Sequence, residues 1–178
     1  MRARTGRSFA KPYRFAVGAP SGTVYALDLL AIQSSPKPLV QGKASDEPIC
    51  IAASQAKGLL AVGSGAGLLI VDVQHGSSRR SSTDGGVQSV TFSPDGTRIA
   101  VGTTTGAIGI QPTGPQASEA KWVHSVAAIP QGLRWSKDGA VLAWRGGGQA
   151  DGTFAFDLSV PKRTSADPSA LLPEGKSG

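Results

Sequence analysis

Residues 90–102 read VTFSPDGTRIAVG, an apolar segment, a Ser-Pro-Asp-Gly turn and a second apolar segment. In such a turn the proline presets φ, the aspartate bonds the local backbone, and the glycine accepts a positive φ. Each flanking segment is about five residues long and is punctuated by glycine, which suits a strand better than a helix. The stretch therefore predicts two antiparallel strands joined by a tight turn.

The same pattern recurs along the chain at intervals of about 40 residues. Residues 51–63 align with residues 90–102 without a gap, and residues 133–144, further along the chain, align with residues 90–101. A partial copy covers residues 15–28, where a short apolar strand and a glycine turn lead to a strand that ends in aspartate. This period is typical of propeller blades, each of which is a meander of antiparallel strands.

Residues 87–102 resemble the first two strands of a WD40 repeat, and residues 22–28 resemble its third strand. The resemblance covers roughly residues 13–158. It implies an all-β fold of β-propeller blades, with about four antiparallel WD40-like units in a partial or open ring. No Gly-His dipeptide precedes a first strand and no Trp-Asp dipeptide closes a third. The hydrogen-bonded His–Asp network of that family is therefore not expected here.

The repeat assigns structural positions to turn residues, to aromatic residues between blades and to aspartates that close the third strands. These positions are Phe92, Asp95, Gly96, Gly102, Trp135, Asp138, Gly139, Asp28, Asp72 and Asp157. In the third unit Gln111 is expected in place of the closing aspartate. Trp144 is expected to pack between neighbouring sheets.

The predicted organisation has three parts: a basic flexible arm, a body of blades and a disordered tail. Five positive charges, four of them in the arm, precede the first acidic residue. The arm therefore adds at most weak affinity for phosphates, and nucleic-acid binding is not otherwise expected. The predicted bounds are 1–12 for the arm, 13–160 for the body with units 13–45, 46–84, 85–126 and 127–160, and 161–178 for the tail.

Four units are few for a closed ring, because WD40-type rings usually have about seven blades. Three alternatives stay open. The chain is a fragment of a larger WD-repeat protein, or it is completed by another chain that lends strands or blades, or it closes on itself as a small ring.

Catalytic residues are scarce in this sequence. Both histidines, His75 and His124, fall in predicted connecting segments, and the single cysteine opens an apolar strand at Cys50. Cys50 is therefore expected to be a buried small hydrophobe rather than a nucleophile paired with histidine. The glycine-rich residues 63–67 lack the lysine and the helix of a phosphate loop, so a turn is predicted. No metal site, cofactor or enzymatic activity is predicted.

The sequence thus predicts a non-catalytic module that binds proteins or peptides, with Arg134 and Arg145 at a blade rim as candidate partner-binding residues. The alternative is a propeller enzyme or a sensor of a small ligand. No apolar run reaches the length of a membrane helix. The lack of a signal sequence and of a disulfide framework favours the cytoplasm, with the nucleus as the other option.

Overall fold

The computed structural model describes residues 4–9, 14–28, 35–43, 46–114, 121–125, 128–147 and 152–158. These residues form an all-β fold of four small antiparallel sheets, which confirms the predicted all-β class and the number of antiparallel units. The described part of the chain contains no helix of a length and apolarity that could span a membrane. The predicted tail at 161–178 lies outside the described residues.

The strands follow one another along the chain, and each sheet is a simple meander. Sheet 1 contains β1 (Arg4–Phe9), β2 (Arg14–Gly18), β3 (Val24–Asp28) and β4 (Lys37–Val40). Sheet 2 contains β5 (Pro48–Ser54), β6 (Leu59–Ser64), β7 (Gly67–Asp72) and β8 (Ser77–Ser81). Sheet 3 contains β9 (Val87–Phe92), β10 (Arg98–Thr103), β11 (Ala107–Pro112) and β12 (Lys121–Ser125). Sheet 4 contains β13 (Ile129–Trp135), β14 (Val141–Gly147) and β15 (Gly152–Asp157).

The sheets stack in chain order through their opening strands. Strand β1 lies beside β5, β5 beside β9, and β9 beside β13. Each of the three interfaces buries its own apolar cluster, and the most completely buried members include Leu60, Ile99 and Leu133. Because each small sheet has two apolar faces, stacking is the arrangement that removes both faces of an inner sheet from water.

One turn is built twice with the same hydrogen bonds. The Ser93 hydroxyl donates to Asp95 Oδ1 at 2.6 Å, and the Ser136 hydroxyl donates to Asp138 Oδ1 at 2.5 Å. In both turns the glycine that follows the aspartate has a positive φ, 69° in one and 71° in the other, and its N–H bonds the serine carbonyl. The sequence prediction of equivalent turns at these two sites is confirmed in detail.

These turns predict a specific pH dependence. The hydroxyls of Ser93 and Thr97 and the Thr97 N–H bond Asp95 and lower its pKa, and bonds from Ser136 and the Ala140 N–H lower the pKa of Asp138. A carboxylate whose pKa is lower in the folded state stabilises the fold at pH values above its unfolded-state pKa. This stability is lost as the pH falls through its folded-state pKa. The double variant Asp95→Asn, Asp138→Asn is therefore expected to lose less stability than the wild type between about pH 5 and about pH 2.

Urea denaturation at a series of pH values measures this difference. Asp84→Asn is the matched control, because Asp84 is an exposed carboxylate outside both turns. If the free energy of unfolding of the double variant falls as steeply on acidification as that of the wild type, Asp95 and Asp138 are not the source of the pH dependence.

The structure corrects the prediction for the N-terminal arm. Within the predicted arm 1–12, the residues of β1 form a strand that pairs with β2, from Arg4 opposite Gly18 to Phe9 opposite Arg14. The residues of β1 show no apolar alternation, and the prediction of a flexible arm relied on the lack of that pattern. Pairing of backbone groups does not need that signal, since every residue other than proline carries one donor and one acceptor.

A second correction concerns the third unit, where the closing position belongs to Pro112 and not to Gln111. Asp72 lies opposite Leu59 in sheet 2, and Pro112 occupies the equivalent place opposite Arg98 in sheet 3. The β10–β11 turn is one residue longer than the β6–β7 turn, so alignment without gaps shifts the third strand by one position. Gln111 itself is fully buried, and its Oε1 accepts a hydrogen bond from the Ser81 hydroxyl at 2.8 Å.

Candidate functional site

A concave groove of about 320 Å³ runs across the opening strands of sheets 2, 3 and 4. Strand β5 contributes residues 50–53, β9 contributes residues 88–92, and β13 contributes Gly132 and Arg134. The stacking places these strands side by side, so the groove arises from the repeat itself and not from an inserted loop. Because neighbouring strands come from different sheets, a single extended ligand lying across them would contact all three sheets.

Irregular pairing recurs in the opening strand of every sheet. The register between the first and second strands shifts between Thr5 and Ser8, between Pro48 and Cys50, next to Ser89, and between Gln131 and Arg134. A β-bulge bends a strand, increases its twist and re-aims a side chain. The four irregularities therefore curve the strands that line or adjoin the groove.

Two side-chain contacts tie sheets 3 and 4 together along the groove. The Ser89 hydroxyl accepts a hydrogen bond from the Leu133 N–H at 3.0 Å, and the Trp135 indole N–H donates to the Thr91 carbonyl at 3.3 Å. The guanidinium of Arg98 lies 4.7 Å from the centre of the Trp135 ring, within the range of a cation–π contact. These contacts hold β13 in position beside β9.

The two candidate partner-binding residues lie on one face of sheet 4. Arg134 is opposite Ala143, and Arg145 is two residues further along β14, opposite Gln131 and Thr153. Both arginines are exposed, and Arg134 also lines the groove. The structure therefore brings together two residues that are eleven positions apart in the sequence.

The aromatic positions face the other side of sheet 4. Trp144 is 4% exposed and its ring stacks on Phe154 at a centroid distance of 5.9 Å, while Trp135 packs against the same cluster. Phe92 belongs to the cluster between sheets 2 and 3. All three tryptophan or phenylalanine side chains lie between sheets, as the repeat alignment predicts.

The structure separates Cys50 from His75, one of the two histidines with which nucleophilic chemistry could pair it. Cys50 is half-buried beside the cluster between sheets 2 and 3, and its Sγ lies 3.9 Å from the Val87 carbonyl. The register places Cys50 at the Gly63 end of sheet 2, whereas His75 follows Asp72 at the other end. His75 Nδ1 lies 2.8 Å from Asp72 Oδ2, and this hydrogen bond lowers the pKa of Asp72.

Metal-ligating residues do not gather in the part of the chain that the structure describes, where no group of three or more His, Cys, Asp or Glu side chains could hold an ion. The expectation that His124 lies in a connecting segment is wrong, because β12 includes it. The glycine-rich residues 63–67 span the β6–β7 turn, as predicted: β6 ends at Ser64, and β7 begins at Gly67, which has a φ of 114°.

Sequence reasoning missed the groove-lining residues Gln88, Ser89 and Gly132. They lie where β9 and β13 pair irregularly with the second strands of their sheets. This irregularity depends on the register between two strands, and no residue type indicates it in the sequence. Of the described groove-lining residues, Arg134 is the one that the sequence marks as a candidate for partner binding, because an arginine replaces a small or hydroxyl residue of the repeat.

A scan of the chain against models of protein families finds no match, and a search among curated proteins finds no similar sequence.

Proposed function

We propose that this chain is a segment of a WD-repeat-like β-propeller that acts as a non-catalytic protein-interaction module and binds an extended peptide in the groove. The observation that carries the proposal is the stacking of consecutive four-stranded or three-stranded meanders through their opening strands. Propeller blades are meanders of this kind arranged around a channel. The groove across β5, β9 and β13 corresponds to the wall of that channel.

The lining of the groove suits recognition of a polypeptide. Ser89, Thr91 and Gln88 offer donors and acceptors, while Ile51 and Val90 offer apolar surface. Such a mixture of small polar and apolar groups binds backbone and side chains without a reacting group. Among the described residues that line the groove, Arg134 is the one that carries a charge, whereas acid–base catalysis would need a proton donor and acceptor there.

The proposal includes the placement of the chain in a larger assembly. A ring of more blades, supplied by a longer protein or by a second chain, would cover the outer faces of the terminal sheets. A cytoplasmic location belongs to the same proposal, since a chain with a single cysteine has no internal disulfide framework.

Selection of peptides from a random displayed library tests the function, with the purified chain as bait. Gln88→Trp is expected to weaken binding of the selected peptides about tenfold or more, because a larger side chain fills part of the groove. Gln74→Trp is the matched control: Gln74 is exposed in the β7–β8 turn, away from the groove, and the change there is expected to leave affinity within about twofold.

Fluorescence anisotropy measures both affinities, and circular dichroism checks that the variants keep the β-rich fold. Failure to select any peptide that binds would overturn the interaction function. Selected peptides that bind Gln88→Trp as well as the wild type would overturn the groove as the site.

A further inference from the structure

The rim of the junction between sheets 2 and 3 carries a polar pair of side chains. Ser81 of β8 faces Gln111 of β11, and its hydroxyl donates to Gln111 Oε1 at 2.8 Å. By register, the equivalent residues at the junction of sheets 1 and 2 are Val40 and Val71, which lie in or against its apolar cluster. A serine and a glutamine therefore stand where the neighbouring junction has two apolar side chains.

Gln111 also has a hydrogen-bond donor that the described part of the fold does not use. The side chain is fully buried, and its Nε2 has no hydrogen-bond partner among the described residues. A buried donor without an acceptor costs free energy, which an apolar side chain such as that of Val71 avoids. The unpaired donor therefore indicates that an acceptor group joins Gln111 in another state of the chain.

Arg79 adds a cation on the same side of β8. Arg79 and Ser81 lie opposite Ile70 and Leu68, so both side chains are on the face of sheet 2 that packs against sheet 3. The Arg79 guanidinium donates to the Pro112 carbonyl at 3.3 Å, and burial lowers the pKa of Arg79. The described ion pairs do not include Arg79, so this partly desolvated charge has a carbonyl and not a carboxylate beside it.

The neighbouring arginine is engaged elsewhere. Arg80 lies opposite Leu69, on the other face of β8, and its Nη2 is 2.6 Å from Asp46 Oδ2. Of the two adjacent cations, Arg79 is therefore the one that faces the junction of sheets 2 and 3.

We propose that Ser81 is a phosphorylation site, and that Arg79 and the Gln111 amide hold the phosphate at this junction. A protein kinase catalyses the step with a nucleoside triphosphate. Ser81 Oγ forms a bond to the γ-phosphorus, the bond from that phosphorus to the bridging oxygen breaks, and the nucleoside diphosphate leaves. The hydroxyl proton passes to a base of the kinase. Two arginines directly before the acceptor suit a kinase that selects substrates by positive charge.

The position of Ser81 in the sheet favours access. Ser81 is half-buried and is the last residue of β8, which is the outer strand of sheet 2 and pairs with β7. The end of an outer strand opens at the cost of few contacts, so a kinase reaches the hydroxyl without unfolding the sheet.

Phosphorylation changes the hydrogen bonds of the polar pair in a defined way. The esterified oxygen of Ser81 no longer donates, so its bond to Gln111 Oε1 is lost. Rotation of the amide then turns Nε2 to the phosphate, and the unpaired donor makes a charge-assisted hydrogen bond. Residues two apart on one face of a strand are separated by roughly 7 Å, a distance that the long side chain of Arg79 spans. The phosphate thus links β8 to β11.

Phosphorus NMR tests this arrangement on chains made with a phosphate on Ser81 or, as the matched control, on Ser82. Ser82 is exposed and follows the same two arginines. The second ionisation of phosphorylated Ser81 is expected to have its midpoint at least about 0.5 pH lower than that of phosphorylated Ser82, because a nearby cation and an amide donor favour the dianion. The side-chain amide resonances of Gln111 are expected to move on phosphorylation of Ser81 and not of Ser82.

Three substitutions in the chain phosphorylated at Ser81 assign the effect to its sources. Arg79→Gln and Gln111→Leu are each expected to raise the midpoint toward that of phosphorylated Ser82. Arg80→Gln removes the same charge from the other face of β8 and is expected to move the midpoint less than half as far as Arg79→Gln does. Equal midpoints for the two phosphorylated positions, or equal effects of the two arginine variants, would overturn the phosphate site.

A second experiment treats the folded, unmodified chain with an arginine-directed protein kinase and ATP, and mass spectrometry locates the phosphate. Transfer to Ser81 is expected; transfer to Ser82 alone, or to neither serine, would show that Ser81 is not the acceptor. Loss of the β-rich circular dichroism spectrum on phosphorylation would also refute the proposal, so a chain that unfolds gives an answer. If excess inorganic phosphate moves the Gln111 amide resonances of the unmodified chain, a free anion and not a covalent phosphate occupies the site. Strand β8 does not line the groove, so peptide binding there is judged separately.

Discussion

Gly63→Ala is expected to lower the free energy of unfolding by about 3 kcal/mol, because the added methyl group has no space. The new Cβ would lie closer than 3.0 Å to both the Val87 side chain and Cys50 Sγ. Val87 is fully buried and cannot move aside without disturbing the cluster between sheets 2 and 3. The backbone at Gly63 is an ordinary strand, so the loss is steric and not conformational. Urea denaturation followed by circular dichroism measures it.

Gly65→Ala is the matched control for this variant. Gly65 lies two residues further on, in the β6–β7 turn, and a Cβ there would meet nothing within 4 Å. The free energy of unfolding is expected to change by less than about 0.5 kcal/mol. Equal stability of the Gly63 and Gly65 variants would show that β9 of sheet 3 does not pack directly against Gly63 of sheet 2.

Leu133→Ala is expected to cost about 3 kcal/mol, within the range of leucine truncations in protein cores. Leu133 is fully buried between sheets 3 and 4, in a cluster with Ala100, Ile108, Leu142 and Trp144. Truncation leaves a cavity that the rigid paired strands on both sides cannot close. Chemical denaturation gives the loss, and a lower melting temperature accompanies it.

Ile129→Ala in the same strand is the control for Leu133→Ala. The Ile129 side chain is 37% exposed, so its truncation is expected to cost less than about 1 kcal/mol. If both truncations in β13 cost the same, sheet 4 would not be packed on sheet 3 in the way the buried cluster requires.

The repeat was predictable because its signals are local. A Ser-Pro-Asp-Gly or Ser-Lys-Asp-Gly turn needs an aspartate acceptor and a glycine with positive φ, and Asp95, Gly96, Asp138 and Gly139 supply them. The apolar strands around these turns then follow from residue type. The all-β class, strand order within the units and the placement of Trp135 and Trp144 between sheets could all be predicted on this basis.

The features that escaped prediction depend on pairing between segments. Strand β1 is held by backbone bonds to β2, the place of Pro112 is decided by the length of the β10–β11 turn, and the groove depends on the curvature of the opening strands. None of these has a signature in hydrophobic alternation. Arg134 and Arg145 were identified as deviations from the repeat, but their common face became visible only through the register.

Stacking in chain order also determines where this molecule opens most readily. Sheets 2 and 3 each share extensive apolar interfaces with two neighbours, while sheets 1 and 4 each share one such interface among the described strands. When contacts join only adjacent units, stability becomes a sum of terms for each unit and each junction, as in a linear array. Opening from an end breaks one junction, whereas opening in the middle breaks two, so fluctuations begin at the terminal sheets and the central pair forms the most persistent part of the native state.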